Sequence, residues 1–323
     1  MNMIEKLEPI LIFGAIILGL LFKDISLLNN ISPLLITVFL ALMLFALFLD
    51  IPLEDIRSSF SNRKFTIISI LINFIWTPLF GYFLGSLFLY GHVDIFIGFF
   101  MLILTPCTDW YLLFTKISKG NVPLSLSILP INLLLQIILL PVYLVLFFSN
   151  SNNIVMLDLV DGLLTFIIIP FIGSEVVKFI LRNKNKTKEK ITGFFSSCQI
   201  LFLCIAIFGL FNTEASSLFE NLDVIGLIFI PLMIFFIVNF ILDFILSRQL
   251  DFNYENYVSL TLTTLARNSP LALAIAIKSF PNNELIAIAL VVGPLIELPV
   301  LYIVSRVLLY IQKKILGNKN TKE

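Results

Sequence analysis

The sequence predicts an all-α integral membrane protein: ten transmembrane helices in two inverted five-helix repeats, with the fourth and ninth helices broken and crossed. Three observations predict it. The chain is apolar along its whole length, its basic residues fall on alternate connections, and its prolines recur at one fixed offset.

Of 323 residues, 59% are hydrophobic and 13% charged, and the mean hydropathy is +1.03. A soluble domain carries roughly a quarter charged residues. Apolar stretches alternate with short polar connections, which leaves no room for a separate soluble domain. Met1 to Glu8 carries Lys6 between two acids and lacks a small-residue cleavage site, so it leads into a first span rather than a removed signal. Cys107, Cys198 and Cys204 fall in apolar runs without CxxC spacing, which supports neither a disulfide framework nor a metal site. The single histidine, His92, lies in the connection "YGHVD" and reads as a solvated loop residue. With no nucleotide-binding loop, no serine–histidine pair and no metal spacing, the chain is read as a non-enzyme without a cofactor.

A spanning helix needs roughly 20 apolar residues. Ten segments qualify: 7–22, 31–49, 65–89, 94–115, 122–148, 156–181, 191–211, 222–247, 257–280 and 284–309. Positively charged loops stay cytoplasmic. With the N-terminus inside, eighteen of the 21 Lys and Arg residues lie on the inner side, only Lys23 and Lys278 lie outside, and Arg267 falls within a span. Merging or splitting one span would scramble that partition, so both termini are expected in the cytoplasm. The run "RNKNKTKEK", Arg182 to Lys190, then becomes a cytoplasmic linker rather than a nucleic-acid patch.

Five spans per half force the second half to run inverted relative to the first, with residues 1–150 forming one repeat and 151–323 the other. Thr105-Pro106 recurs as Ser269-Pro270 at an offset of 164, and Pro130 recurs as Pro294. Paired interruptions in corresponding segments are the best sequence pointer to a secondary transporter's site. Proline costs little as the first residue of a new helix, and a preceding Thr or Ser can cap the amides. Thr105 and Ser269 are therefore expected as caps of half-helices restarted at Pro106 and Pro270, with Pro294 marking a further break. A plain proline kink is the bland alternative.

Charges inside spans are functional candidates by default. Asp109 and Arg267 lie at similar depth at ~1.5 Å per residue and can pair. Glu297, with no basic neighbour in sequence, is a candidate proton carrier, or else completes a static network with Arg267 and Asn268. Asp243 is expected to form a shallow pair with Arg248, and Glu175 to form an interfacial pair with Lys178. Cys107 sits between a break and a carboxylate, beside Thr105, Thr108 and the opposed Asn268 and Ser269. Such a setting suits a soft, thiophilic solute. Cys198 and Cys204 are read as packing residues.

"TPCTDW" in the fourth span, "LARNSPLALAIAI" in the ninth and "VVGPLIELPVLY" in the tenth resemble the arsenical-resistance (arsenite efflux) family of the bile acid:sodium symporter superfamily, over residues 7 to about 315. The resemblance implies a bile acid:sodium symporter-like crossover fold, with helices 3–5 and 8–10 as a core moving against a panel of helices 1, 2, 6 and 7. It further implies proton-driven export of arsenite across a bacterial inner membrane, with Cys107 and Glu297 at functional positions. One departure stands out. Exporters of that family carry asparagine-asparagine-phenylalanine-glutamate in the ninth span, where this chain has Asn268-Ser269-Pro270-Leu271 preceded by Arg267. A fixed guanidinium there argues against sodium coupling through that site. It also motivates a second reading, a carrier of a small organic anion. A membrane receptor without transport is a third, and no output domain supports it.

Overall fold

The computed structural model describes residues 11, 14–50, 62–108, 110–148, 156–182, 185–213, 215, 219, 222–280 and 283–320. Among these there is no β-strand, and one isolated antiparallel bridge joins Pro106 to Arg267. Residues 11 and 14–21 are helical, and residues 7–10, 12 and 13 of the expected first span lie outside the described residues. Twelve further α-helices follow: α1 (Ser26–Asp50), α2 (Arg63–Leu71), α3 (Thr77–Phe88), α4 (Val93–Leu104), α5 (Trp110–Ile117), α6 (Val122–Phe148), α7 (Met156–Ile180), α8 (Asn185–Thr213), α9 (Leu222–Gln249), α10 (Tyr254–Leu265), α11 (Ser269–Ser279) and α12 (Glu284–Asn320). Among the described residues six segments are long and apolar enough to cross a membrane: Ser26–Leu49, Arg63–Phe88, Val122–Phe148, Lys186–Thr213, Gly226–Gln249 and Glu284–Lys313.

The helix surfaces are inside out relative to those of a soluble protein. Along α2 and α3, Ile67, Leu71, Ile75, Leu79, Phe83 and Leu87 recur every four residues and are all exposed. The opposite stripe, Ser69, Asn73 and Thr77, is fully buried. Spacing of four keeps side chains on one helix face, so polar groups point inward and apolar ones outward. The same holds on α9, where Ile237, Ile241 and Ile245 are exposed and Asn239, Asp243 and Ser247 are buried. Water would oppose this arrangement, whereas lipid favours it.

Between α2 and α3 the helix widens into a π turn, Ile72–Trp76. Pro78, in the first turn of α3, has no N–H to give to the carbonyl one turn back, at Phe74. The hydroxyl of Tyr143 donates to that Phe74 carbonyl instead, which removes the cost of a bare acceptor in an apolar interior.

The chain divides into two compact units. The first comprises Met1–Pro52, Ile154–Val224 and Leu273–Ile288; the second comprises Leu53–Asn153, Ile225–Ala272 and Ala289–Glu323. In the first unit α1 packs along α7 and α8. Phe39 meets Phe202, Phe45 meets Phe195 and Phe48 meets Phe171, and Ser32 donates to Asn212 Oδ1 at 2.9 Å. The expected Glu175–Lys178 pair is present on α7 at 2.9 Å.

In the second unit α6 packs against α4, α5 and α10. The α5–α6 turn is pinned to the start of α10: Asn121 Nδ2 donates to Asn256 Oδ1 at 3.1 Å, the Asn121 amide donates to the Glu255 carbonyl at 3.1 Å, and Ser259 donates to the Asn121 carbonyl at 2.9 Å. Asn121 and Asn253 also cap α6 and α10 through Leu124 and Asn256. These ties hold α5 and α10 in register.

One expectation about proline is corrected. Pro294 lies inside the continuous α12 and does not break it, just as its counterpart Pro130 lies inside α6. A proline costs a helix one internal bond, and a helix packed in protein can absorb that loss. Gly293, beside Pro294, sits so close to α4 that an added Cβ would lie 2.6 Å from Leu102 Cδ1.

Candidate functional site

The two interruptions meet in the second unit. The helix that starts at Val93 stops at Leu104 and resumes at Trp110; the one that starts at Tyr254 stops at Leu265 and resumes at Ser269. Across the gaps two short extended segments pair: the Cys107 amide donates to the Ala266 carbonyl at 3.0 Å, and the Asn268 amide donates to the Thr105 carbonyl at 2.7 Å. Thr105 and Ala266 have extended backbone angles. A buried backbone donor without a partner costs about 1–3 kcal/mol, so each break satisfies the amides that the other exposes. Burial is nearly complete, with Thr105 and Pro106 fully enclosed, Cys107 4% exposed and Thr108 2%.

The caps differ from the expected ones. Thr105 closes α4 rather than opening a new helix: its hydroxyl lies 3.2 Å from the Met101 carbonyl, 3.1 Å from that of Leu102 and 3.2 Å from that of Asn268. Pro106 belongs to the bridge, and the helix does not restart until Trp110. Its missing N–H suits a bridge position where no donor is required. In the second break the cap is Asn268, not Ser269. Asn268 Oδ1 accepts from the Leu271 amide at 3.1 Å, and Ser269 with Pro270 forms the first turn. Asparagine and serine cap about equally well, but Asn268 stands at the capping position, and its side-chain N–H donates to Thr108 Oγ1 at 3.1 Å, tying the two breaks together through side chains as well.

Arg267 is 1% exposed, the largest of the fully buried side chains. Its guanidinium donates to the Ile103 carbonyl at 2.9 Å, to the Thr264 carbonyl, and to Asn73 Oδ1 at 3.4 Å, and it lies 4.9 Å from the centroid of the Phe235 ring. Ile103 is next to last in α4 and Thr264 next to last in α10. The guanidinium thus closes two helix carbonyl ends at once, the pole where a cation is favoured. The expected pair with Asp109 lies outside the described residues.

Glu297, 3% exposed, accepts the backbone N–H of Arg267 on Oε1 at 2.7 Å. It therefore binds the Arg267 main chain, one residue from the cap Asn268. Asp243 departs most from expectation. It is fully buried and accepts from Thr264 Oγ1 at 2.6 Å, while Arg248 lies over Phe244 at 4.8 Å instead of pairing with it. The helix face decides this: Asp243 shares the buried stripe of Asn239 and Ser247.

Several buried polar groups escaped the sequence reading. Asn73 contacts Arg267, and Asn239 accepts from Trp76 Nε1 at 2.8 Å. Asn132 and Gln136, one turn apart on α6, are each 1% exposed, and none of their four amide atoms has a protein partner. The legible signal was the spacing of four between polar residues in otherwise apolar runs.

Residues 37–221 match the model of the Sodium Bile acid symporter family. Three curated relatives illustrate the breadth of the similarity. Arsenical-resistance protein Acr3 of Corynebacterium glutamicum is 24% identical over 79% of this chain and 72% of its own length. The uncharacterized protein YbaS of Bacillus subtilis is 25% identical over 90% of this chain and 92% of its own. An uncharacterized transporter of Synechocystis is 25% identical over 82% and 76%.

Proposed function

The chain belongs to the Sodium Bile acid symporter family, and from that premise we propose that it is a secondary active transporter that exports arsenite or antimonite from a bacterial cytoplasm in exchange for protons. The observation that carries this reading is Cys107, a buried thiol next to Thr108 at the meeting point of two interrupted helices, paired through its backbone with Ala266. Neutral trivalent arsenic needs a soft sulfur donor and hydroxyl or amide partners, and no counter-charge. Thr105, Thr108, Asn268 and Ser269 supply such partners in the proposal. Glu297 is assigned the proton and Arg267 a fixed structural charge, because the guanidinium already serves two carbonyl ends.

The proposal keeps the architecture expected from the sequence: ten spans, two inverted repeats, cytoplasmic termini, and a core of helices 3–5 and 8–10 moving against a panel of helices 1, 2, 6 and 7. The paired interruptions support it, since backbone of this kind at membrane depth normally lines a site. The similarity to an arsenical-resistance protein favours the solute.

The test is arsenite accumulation by everted vesicles after lumen acidification, with a Cys107→Ser vesicle beside the wild type. Wild-type accumulation that collapses with an uncoupler and is lost in Cys107→Ser supports the proposal; absence of accumulation overturns the solute. A second reading, a small organic anion carrier, draws on the buried Arg267 Nε, which has no protein partner. Thermal stabilisation by a carboxylate and not by arsenite would select it.

A further inference from the structure

Among the described residues three buried side chains carry formal charge: Arg267, Glu297 and Asp243. One guanidinium against two carboxylates leaves one negative charge in excess when all three are ionised. Isolated charge in an apolar interior is costly, so one further positive charge would balance these three groups. The geometry indicates where.

Glu297 already accepts a backbone amide. Asp243 uses Oδ2 for Thr264, while its Oδ1 is buried with no protein partner. One turn along α9, Ser247 is 3% exposed and its hydroxyl is also without a partner. Facing them, α10 presents Tyr257, Thr261 and Thr264 on one side, all buried. The Asp243–Thr264 bond and the contact of the Phe244 and Tyr257 rings tie α9 to α10 along this stretch. The charged and titratable groups around this seam are Arg267, whose guanidinium is bound to the carbonyl of the same Thr264; Arg248, stacked over Phe244; and Tyr257, whose ring also packs on Phe244. No thiol or imidazole is among them.

We propose that the seam of Asp243, Ser247, Tyr257, Thr261 and Thr264 is a binding site for one small monovalent cation, a proton or a sodium ion, distinct from the carboxylate of Glu297. The chemistry matches that class. One carboxylate with hydroxyl oxygens is a hard, singly charged donor set, and a single positive charge neutralises the excess where a divalent ion would reverse it. Thr264 links the seam to the crossover, since its hydroxyl binds Asp243 and its carbonyl binds Arg267. Loading the seam therefore acts on the residue that closes both broken helices.

The inference goes beyond the proposed solute and does not depend on it. Its test is dicyclohexylcarbodiimide labelling of the purified full chain, followed by peptide mapping of Asp243, at several pH values in sodium chloride or N-methylglucamine chloride of equal ionic strength. A proton site gives labelling of Asp243 that falls roughly tenfold per pH unit on the alkaline side and ignores sodium. A sodium site gives labelling suppressed by sodium and spared by N-methylglucamine. Thermal melting under the same conditions provides the second readout. In a Glu297→Gln background, which removes the other buried carboxylate, the protein is stabilised by acid or by sodium, and adding Asp243→Asn, which keeps an acceptor for Thr264, abolishes that response. Absence of labelling at every pH, or a double variant that keeps the cation response of Glu297→Gln alone, overturns the site whether or not arsenite is transported.

Discussion

Arg267 and Glu297 meet through the main chain of one and the side chain of the other: the amide of Arg267 donates to Oε1 of Glu297 at 2.7 Å, while the guanidinium turns toward the carbonyls of Ile103 and Thr264. A buried acid and a buried base thus share one residue without pairing their charges directly. Protonation of Glu297 can change the hold on the second break while the guanidinium stays where it is.

Glu297→Gln tests that separation. The amide oxygen still accepts the Arg267 N–H, but a charge-assisted bond is roughly twice as strong as a neutral one, so a stability loss of about 1 kcal/mol is expected. Proton-driven arsenite accumulation in everted vesicles should disappear, while arsenite exchange without a pH gradient should persist. Loss of both would place Glu297 in the solute site instead.

Arg267→Met removes the guanidinium that donates to the Ile103 and Thr264 carbonyls. Two buried acceptors left bare are expected to cost about 2 kcal/mol or more. Arg267→Lys retains the charge but not the planar fork and should fall between Met and wild type. Melting of the three purified proteins in one detergent gives the order; an unchanged Arg267→Met would show that the guanidinium supports no helix end.

Asn268→Ala removes the cap of α11 and the bond to Thr108. A lost cap costs about 1 kcal/mol, and a side-chain bond between membrane helices about 0.6 kcal/mol. Asn268→Asp keeps the cap and should recover most of the stability, though not the Thr108 bond. Hydrogen exchange at the Leu271 amide is the local measure, with faster exchange expected in Asn268→Ala alone.

Gly85→Ala probes packing far from the crossover. Its Cβ would lie 1.9 Å from Phe96 Cε2, in a ring cluster where Phe96 packs on Tyr82, Phe100 and Phe148. Overpacking of this kind costs about 1–3 kcal/mol. Lower melting with arsenite transport intact at permissive temperature is the expected result.

Much of this protein was written in one dimension. The apolar runs, the two interruptions near Pro106 and Pro270, and the Glu175–Lys178 pair follow from local spacing, because helix length and i, i+3 neighbours depend only on nearby residues. What the tertiary structure decided was which groups cap, bridge and pair. Thr105 turned out to close α4, and Asn268, not Ser269, opened α11; Pro294 stayed inside a helix that packing supports. Asp243 faced Thr264 instead of Arg248, since membership of a buried stripe outweighs nearness in sequence. Sequence alone sets where the backbone breaks, but the partners that satisfy a broken backbone come from residues some 160 positions away, and only folding brings them within hydrogen-bond reach.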